Sequence, residues 1–269
     1  MVNGKIIVKR FGKVDDKSVN EILNVILECF EQAGRKPSIV DLYIFESRSS
    51  MISFLNSERI KHGMPILWEI EEFYATHDAW LGNPRIMVSI DAKMKMPKKA
   101  YIGCIRHEAA HSILHGDLKY YLFTIPKSLK KFNYEISQKI AYLLSIGIKD
   151  YEVTEFLIKL NFIEDQLAYI NFLLIPSENE FDVYNLSELN LSYRALALAS
   201  ILKVVMCALP ATKIHRKNLI KIEKYLLKIT PKWSKVILNA ALEASKEFNC
   251  EFKDKLEILA STLMKKLNN

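Results

Sequence analysis

Two histidines four residues apart, His107 and His111, with an acid, Glu108, directly after the first, have the types and spacing to hold a metal ion and use it. On a helix the two imidazoles stand one turn apart, roughly 6 Å, on one face and both reach a single zinc ion. Glu108 then lies beside the metal, placed to take a proton from a bound water. The chemistry this pattern, H-E-x-x-H, points to is metal-assisted hydrolysis.

The segment that must position these groups reads as a helix. At about 100° per residue from Tyr101 to His115, the residues Ile102, Ile105, Ala109 and Ile113 form an apolar stripe, with Cys104, His107, Glu108, His111 and His115 on the opposite side. Lys98, Lys99 and Ala100 open it after Pro97, and His115-Gly116 closes it with a C-terminal histidine and a left-handed glycine stop. Cys104, one turn before His107, is expected to be a small buried side chain with reach toward the metal.

A catalytic zinc takes three protein ligands and leaves one position for water. His115 is set aside, because on a continuous helix it lies roughly 12 Å along the axis from His107; it is expected to cap the helix or line the cleft. The remaining choices are acids from later helices. Glu135 has a lysine, Lys139, four residues on, and an exposed ion pair accounts for it. Asp150 and Glu152 flank the inner stripe Val153, Phe156, Leu157 and Leu160 at about 70° and about 90° on opposite sides, so angle barely separates them. Asp150 is the favoured third ligand, with Glu152 as its alternate or support, and a simple helix N-cap is the competing role for Asp150. His77 and Asp78, at the end of a strand, are weaker candidates: a turn-stabilising pair, or a donor from His77 to an oxyanion.

Half the residues are apolar and the chain is long enough for a sizeable core. Four cysteines, Cys29, Cys104, Cys207 and Cys250, are scattered without C-x-x-C spacing, which argues against a disulfide framework or a cysteine zinc ribbon and for a reducing cytoplasm. The N-terminal residues do not form a signal-peptide pattern, and the longest apolar run, 195–209, is interrupted by Lys203; a buried helix and no membrane are expected. The net charge of +7 resides between Lys213 and Lys235, where eight Lys/Arg face the single acid Glu223, and the rest of the chain is balanced. Lys217, Lys221, Lys224 and Lys228 fall on one helical stripe opposite Leu219, Ile222, Leu226 and Ile229. A solvated outer face is the first reading of that stripe; an anionic partner such as nucleic acid is the alternative.

Strands are expected over 5–11, 40–45, 72–78 and 85–90, the last two joined by a hairpin-like turn at Leu81-Gly82-Asn83-Pro84. Helices are expected after an Asp16 or Ser18 cap and near 48–61. Beyond Gly116, helices are expected near 129–146, 149–160, 164–174, 188–208, 217–229, 232–248 and 252–267. Strands with helices first and helices afterwards predict an α+β fold, divided into residues 1–176 with the metal helix and a helical region 177–269.

This layout resembles that of the zincin metallopeptidases, in which a small mixed sheet precedes the H-E-x-x-H helix and a helical lobe follows. The stretches Ala75-Thr76-His77-Asp78-Ala79-Trp80, His107 through Gly116 and Lys149-Asp150-Tyr151-Glu152-Val153, with the chain between them, are also similar to uncharacterised archaeal predicted metallopeptidases, over about a third of the chain. The separation of Glu135 from His111 is similar to the gluzincins, and the local H-E-x-x-H-x-x-L-H resembles the ImmA/IrrE regulatory peptidases. These resemblances imply Zn2+ as cofactor, a peptide or protein substrate lying extended along an edge strand, and residues 85–90 or the preceding strand as that edge. The alternative is a regulatory zinc-binding protein whose basic helical region binds nucleic acid or a protein partner.

Overall fold

In the computed structural model, which describes residues 4–63, 73–122 and 124–268, the chain is α+β: a four-stranded mixed sheet with helices near the N-terminus, then helices. It divides into two compact units. The first comprises residues 1–121 and 159–172, the second 122–158 and 173–269. Each unit is thus discontinuous in sequence, unlike the expected sections 1–176 and 177–269.

The first unit is built on strands β1 (Lys5–Phe11), β2 (Ile39–Phe45), β3 (Ala75–Asp78) and β4 (Arg85–Ser89). Their order is β1-β2-β4-β3, with β1, β2 and β4 parallel and β3 antiparallel to β4. The turn before β4 holds Gly82 at φ +104, a conformation for which glycine carries no Cβ penalty. Of the two strands expected as the edge, β4 lies inside the sheet and β3 is terminal, as β1 is at the other end. The start of the expected 72–78 strand, Glu72, lies outside the described residues.

Side-chain alternation sorts this sheet into two faces. Tyr43, Phe45 and Met87 pack with Met51 and Leu55 of helix α2 (Arg48–Lys61). Leu42, Ile44, Ile86 and Val88, one residue out of phase, are buried on the other face. Helices α1 (Asp16–Gln32) and α4 (Lys98–Leu114) pack against each other, and α4 also packs on β3 and β4; a short helix α3 (Ala92–Lys95) precedes it. The N-cap of α1 is Asp15, one residue before the expected Asp16, and its carboxylate accepts the Ser18 N–H at 2.7 Å.

Helix α4 departs from the expected two-faced pattern. Every residue from Ala100 to Ser112 except Ile102 is buried, because neighbours surround the helix instead of leaving one flank to solvent. Arg106 reaches the buried interior only by being paired: its guanidinium meets Asp165 at 2.6 Å and Glu28 at 2.9 Å, and lies 3.8 Å from the centroid of Phe162. Those partners tie α4 to α1 and to α6 (Ile163–Leu173).

Gly103 permits the close crossing of α6. A Cβ there would stand 2.3 Å from the Asp165 carbonyl oxygen and 2.9 Å from Tyr169 Cβ, while the Gly103 carbonyl accepts from Gln166 Nε2 at 2.9 Å. Gly103→Ala is expected to destabilise the protein by about 1–3 kcal/mol, read as a lower denaturant midpoint with unchanged m.

The second unit contains α5 (Tyr134–Lys159, its last residue excepted), α7 (Glu178–Leu186), α8 (Leu191–Ala208), α9 (Arg216–Ile229), α10 (Ser234–Ser245) and α11 (Phe252–Asn268). The two helices expected over 129–146 and 149–160 are one continuous helix. Gly147 lies inside it because α8 approaches there: an added Cβ would be 3.2 Å from Lys203 Cα. Helix α7 is additional to the expected set, although its Ser177/Glu180 capping box is visible in the sequence. Helix α8 starts later than expected, where Asn190 Oδ1 accepts the N–H groups of Ser192 and Tyr193. The segment Leu191–Lys213 is long and apolar enough to cross a membrane, and 72% of its most apolar window is buried inside the fold, as a core helix would be. On α9, Ile222, Leu226 and Ile229 are buried while Lys217, Lys221, Lys224 and Lys228 are exposed, so the basic stripe is an outer face.

Candidate metal centre

Helix α4 gathers the predicted chemistry within the first unit. His107, Glu108 and His111 are 2%, 6% and 7% exposed, and the two imidazoles meet edge to face with centroids 4.8 Å apart. The helical rise alone accounts for this: residues i and i+4 stack one turn apart on the same side.

Two further histidines join them. His77 on β3 pairs in register with Ile86, which puts it on the sheet face that α4 covers. Its ring lies parallel to that of His111, 5.8 Å between centroids at 7°. Asp78, the next residue, points to the opposite face and forms a bidentate pair with Arg85 at 2.7 and 2.8 Å; Arg85 also meets Glu58 of α2 at 2.7 Å. The adjacent His77 and Asp78 therefore do different jobs, which strand alternation requires.

His115 lies beside them at the end of α4. The helix ends at Leu114, His115 leaves the helical path at φ −125 and ψ 20, and its N–H still bonds the His111 carbonyl at 2.7 Å. It caps the helix as expected, and its Nδ1 lies 3.0 Å from His111 Nδ1. The left-handed glycine stop is corrected: Gly116 is absent from the positive-φ residues, and a Cβ on it would meet the Ser112 carbonyl oxygen at 2.5 Å and Pro84 at 3.3 Å. Close packing, not backbone handedness, is what asks for glycine there.

Three tyrosines complete the surroundings, and sequence reasoning missed all of them. Tyr121 Oη is 3.2 Å from His77 Nδ1, Tyr120 stands edge-on to His115 at 4.9 Å, and the Tyr169 ring lies 5.3 Å from that of His107. None carries a motif or period that would have marked it. Cys104 is a buried core thiol, with burial pushing its pKa well above the ordinary value despite a hydrogen bond with Tyr169.

The carboxylate candidates lie on α5, in the second unit. Glu135 is exposed and bonded to Lys139 at 2.6 Å, the i,i+4 pair expected of it. Glu152 is engaged by Lys255 of α11 at 2.5 Å. Asp150 is half-buried within α5, not at its N-terminus, so the N-cap role does not apply. A carboxylate oxygen of Asp150 lies within 4.8 Å of Cys207 Sγ on α8, and Cys207 in turn contacts Thr154 Oγ1 at 3.7 Å. Cys207 was hidden in an apolar run, where a thiol reads as one more core side chain.

No known protein family, curated protein or solved structure matches this chain.

Proposed function

We propose that the protein is a zinc-dependent peptidase of the zincin type, with His107 and His111 as metal ligands and Glu108 as general base; Asp150 is the third ligand expected from the sequence. The observation that carries this reading is the H-E-x-x-H segment on a buried helix, with two imidazoles one turn apart and the glutamate between them. The donor set suits zinc, which takes neutral imidazole nitrogens and carboxylate oxygens, and the surrounding aromatic rings give the shielded setting in which such ligands are held in place. When bound, zinc would polarise a scissile carbonyl and lower the pKa of its water to about 7.

The chain's own residues supply the remaining steps. Glu108 takes the water's proton and delivers it to the leaving amine nitrogen. If Tyr121 donates its hydroxyl to His77 Nδ1, the ring proton of His77 sits on Nε2, as a donor to the developing oxyanion requires. The substrate is an extended peptide that adds to β3, a terminal strand of the sheet, through backbone hydrogen bonds, a mode that accepts many sequences.

Among the α5 acids, Asp150 is the ligand that the sequence favours, with Glu152 as its alternate; Glu135 is bonded to Lys139 and Glu152 to Lys255. Metal analysis of the purified wild type is expected to find one zinc per chain. Asp150→Ala is expected to lose most of it and Glu152→Ala to keep it. The opposite pattern would transfer the ligand role to Glu152, and a wild type without zinc would remove the peptidase reading.

A further inference from the structure

We propose that His115 is a positioning residue for His111: its Nδ1 accepts the His111 Nδ1–H and thereby commits the Nε2 lone pair of His111 to the metal. This rests on the zinc reading above. Two imidazole nitrogens 3.0 Å apart are at hydrogen-bond distance, so one must donate and the other must present a lone pair. A neutral imidazole donates from one nitrogen and accepts at the other. If His111 donates from Nδ1, its Nε2 is the ligand; if His115 donates instead, the His111 proton is forced onto Nε2 and that nitrogen cannot bind an ion. Joint ligation of one ion by both Nδ1 atoms is the competing arrangement, and it would leave His111 Nδ1 without its proton.

The surrounding structure holds His115 for this task. Its ring is 1% exposed and stands edge-on to Tyr120, and its backbone is fixed by the bond to the His111 carbonyl and by the tight packing around Gly116. His111 is bounded by the parallel ring of His77 and the edge contact with His107. Metal-binding histidines generally donate their second ring N–H to a carboxylate, a backbone carbonyl or water. Here a second imidazole, one helical turn onward, takes that place.

The test uses the full chain and zinc alone. Zinc affinity is measured by competition with a chromogenic chelator for wild type, His115→Leu and His115→Asn, and the His111 tautomer is read by nitrogen-15 NMR of the zinc-loaded wild type. His115→Leu keeps bulk without an acceptor and is expected to weaken zinc binding by about 10–100-fold. His115→Asn places an amide oxygen near the lost Nδ1 and is expected to recover most of that affinity. The His111 proton is expected on Nδ1. Wild-type zinc binding with an unchanged His115→Leu affinity, or a His111 Nδ1 without its proton, would overturn this inference and leave the zinc reading standing. A wild type that binds no zinc would remove both. Should His115→Leu fail to fold, the tautomer of the wild type decides the matter.

Discussion

Glu108→Gln is expected to lower kcat for peptide hydrolysis by about 10²–10⁴-fold while leaving zinc stoichiometry at the wild-type level. The substitution is nearly isosteric, and the side chain sits inside α4 at 6% exposure, where a change of shape would be felt but a change of one atom is accommodated. What is lost is the basic oxygen. An amide cannot take the water's proton, and it cannot carry that proton to the leaving nitrogen. The measurement pairs kcat on an unstructured peptide with metal analysis of the same preparation. Wild-type turnover in the variant, with contaminating protease excluded, would exclude Glu108 as the base; loss of zinc alongside activity would assign it a structural role.

Arg85→Met is expected to destabilise the first unit by about 3–5 kcal/mol, the cost of leaving a buried charge without its partner. Arg85 is 2% exposed and meets two carboxylates, Asp78 and Glu58, with its guanidinium 5.4 Å from the Trp80 ring. Burial works against its charge, but the hydrogen bonds with Asp78 and Glu58 prevail and hold its pKa above the ordinary value. At Asp78 burial pushes the carboxyl pKa up, against the pull of Arg85. Without the arginine that pull disappears and the Asp78 pKa rises further above its unfolded value. A group whose folded pKa is raised stabilises the fold below its unfolded pKa, and that contribution is lost as pH rises through the folded pKa. The Arg85→Met deficit should therefore be largest near neutral pH and shrink in acid. Denaturant unfolding at several pH values tests this, and Asp78→Leu added to Arg85→Met should recover part of the loss. A deficit independent of pH would show that lost packing, not the orphaned carboxylate, dominates. The strand consequence is specific: Asp78 adjoins His77, so loosening the β3–β4 pairing should also disturb the ring stacked on His111.

Strong local signals were legible in the sequence. The seven-residue strand β1 and the helix α2 are found at their expected limits, because an apolar-rich run and a helical run end there at clear turn or cap residues. The H-E-x-x-H helix was legible for the same reason, and with it the pairing of His107 with His111 and the ion pair that occupies Glu135. Each of these depends on residues within a few positions of one another.

What the tertiary structure decided depends on neighbours distant in sequence. Residues 147–148 separate two expected helices until α8 is seen against Gly147, and Gly116 reads as a left-handed stop until Pro84 and the Ser112 carbonyl are seen around it. The inner position of β4 follows from strand order, which alternation cannot supply. His115 caps the helix as expected, but only the structure shows its Nδ1 3.0 Å from that of His111. By itself the sequence determined the chemical pair on α4 and the residue between them, since backbone geometry fixes an i,i+4 relation wherever a helix forms. Which rings surround that pair and how His77 and Asp78 divide between two faces of a sheet were decided only by packing, because those relations hold between segments whose separation in the chain carries no period.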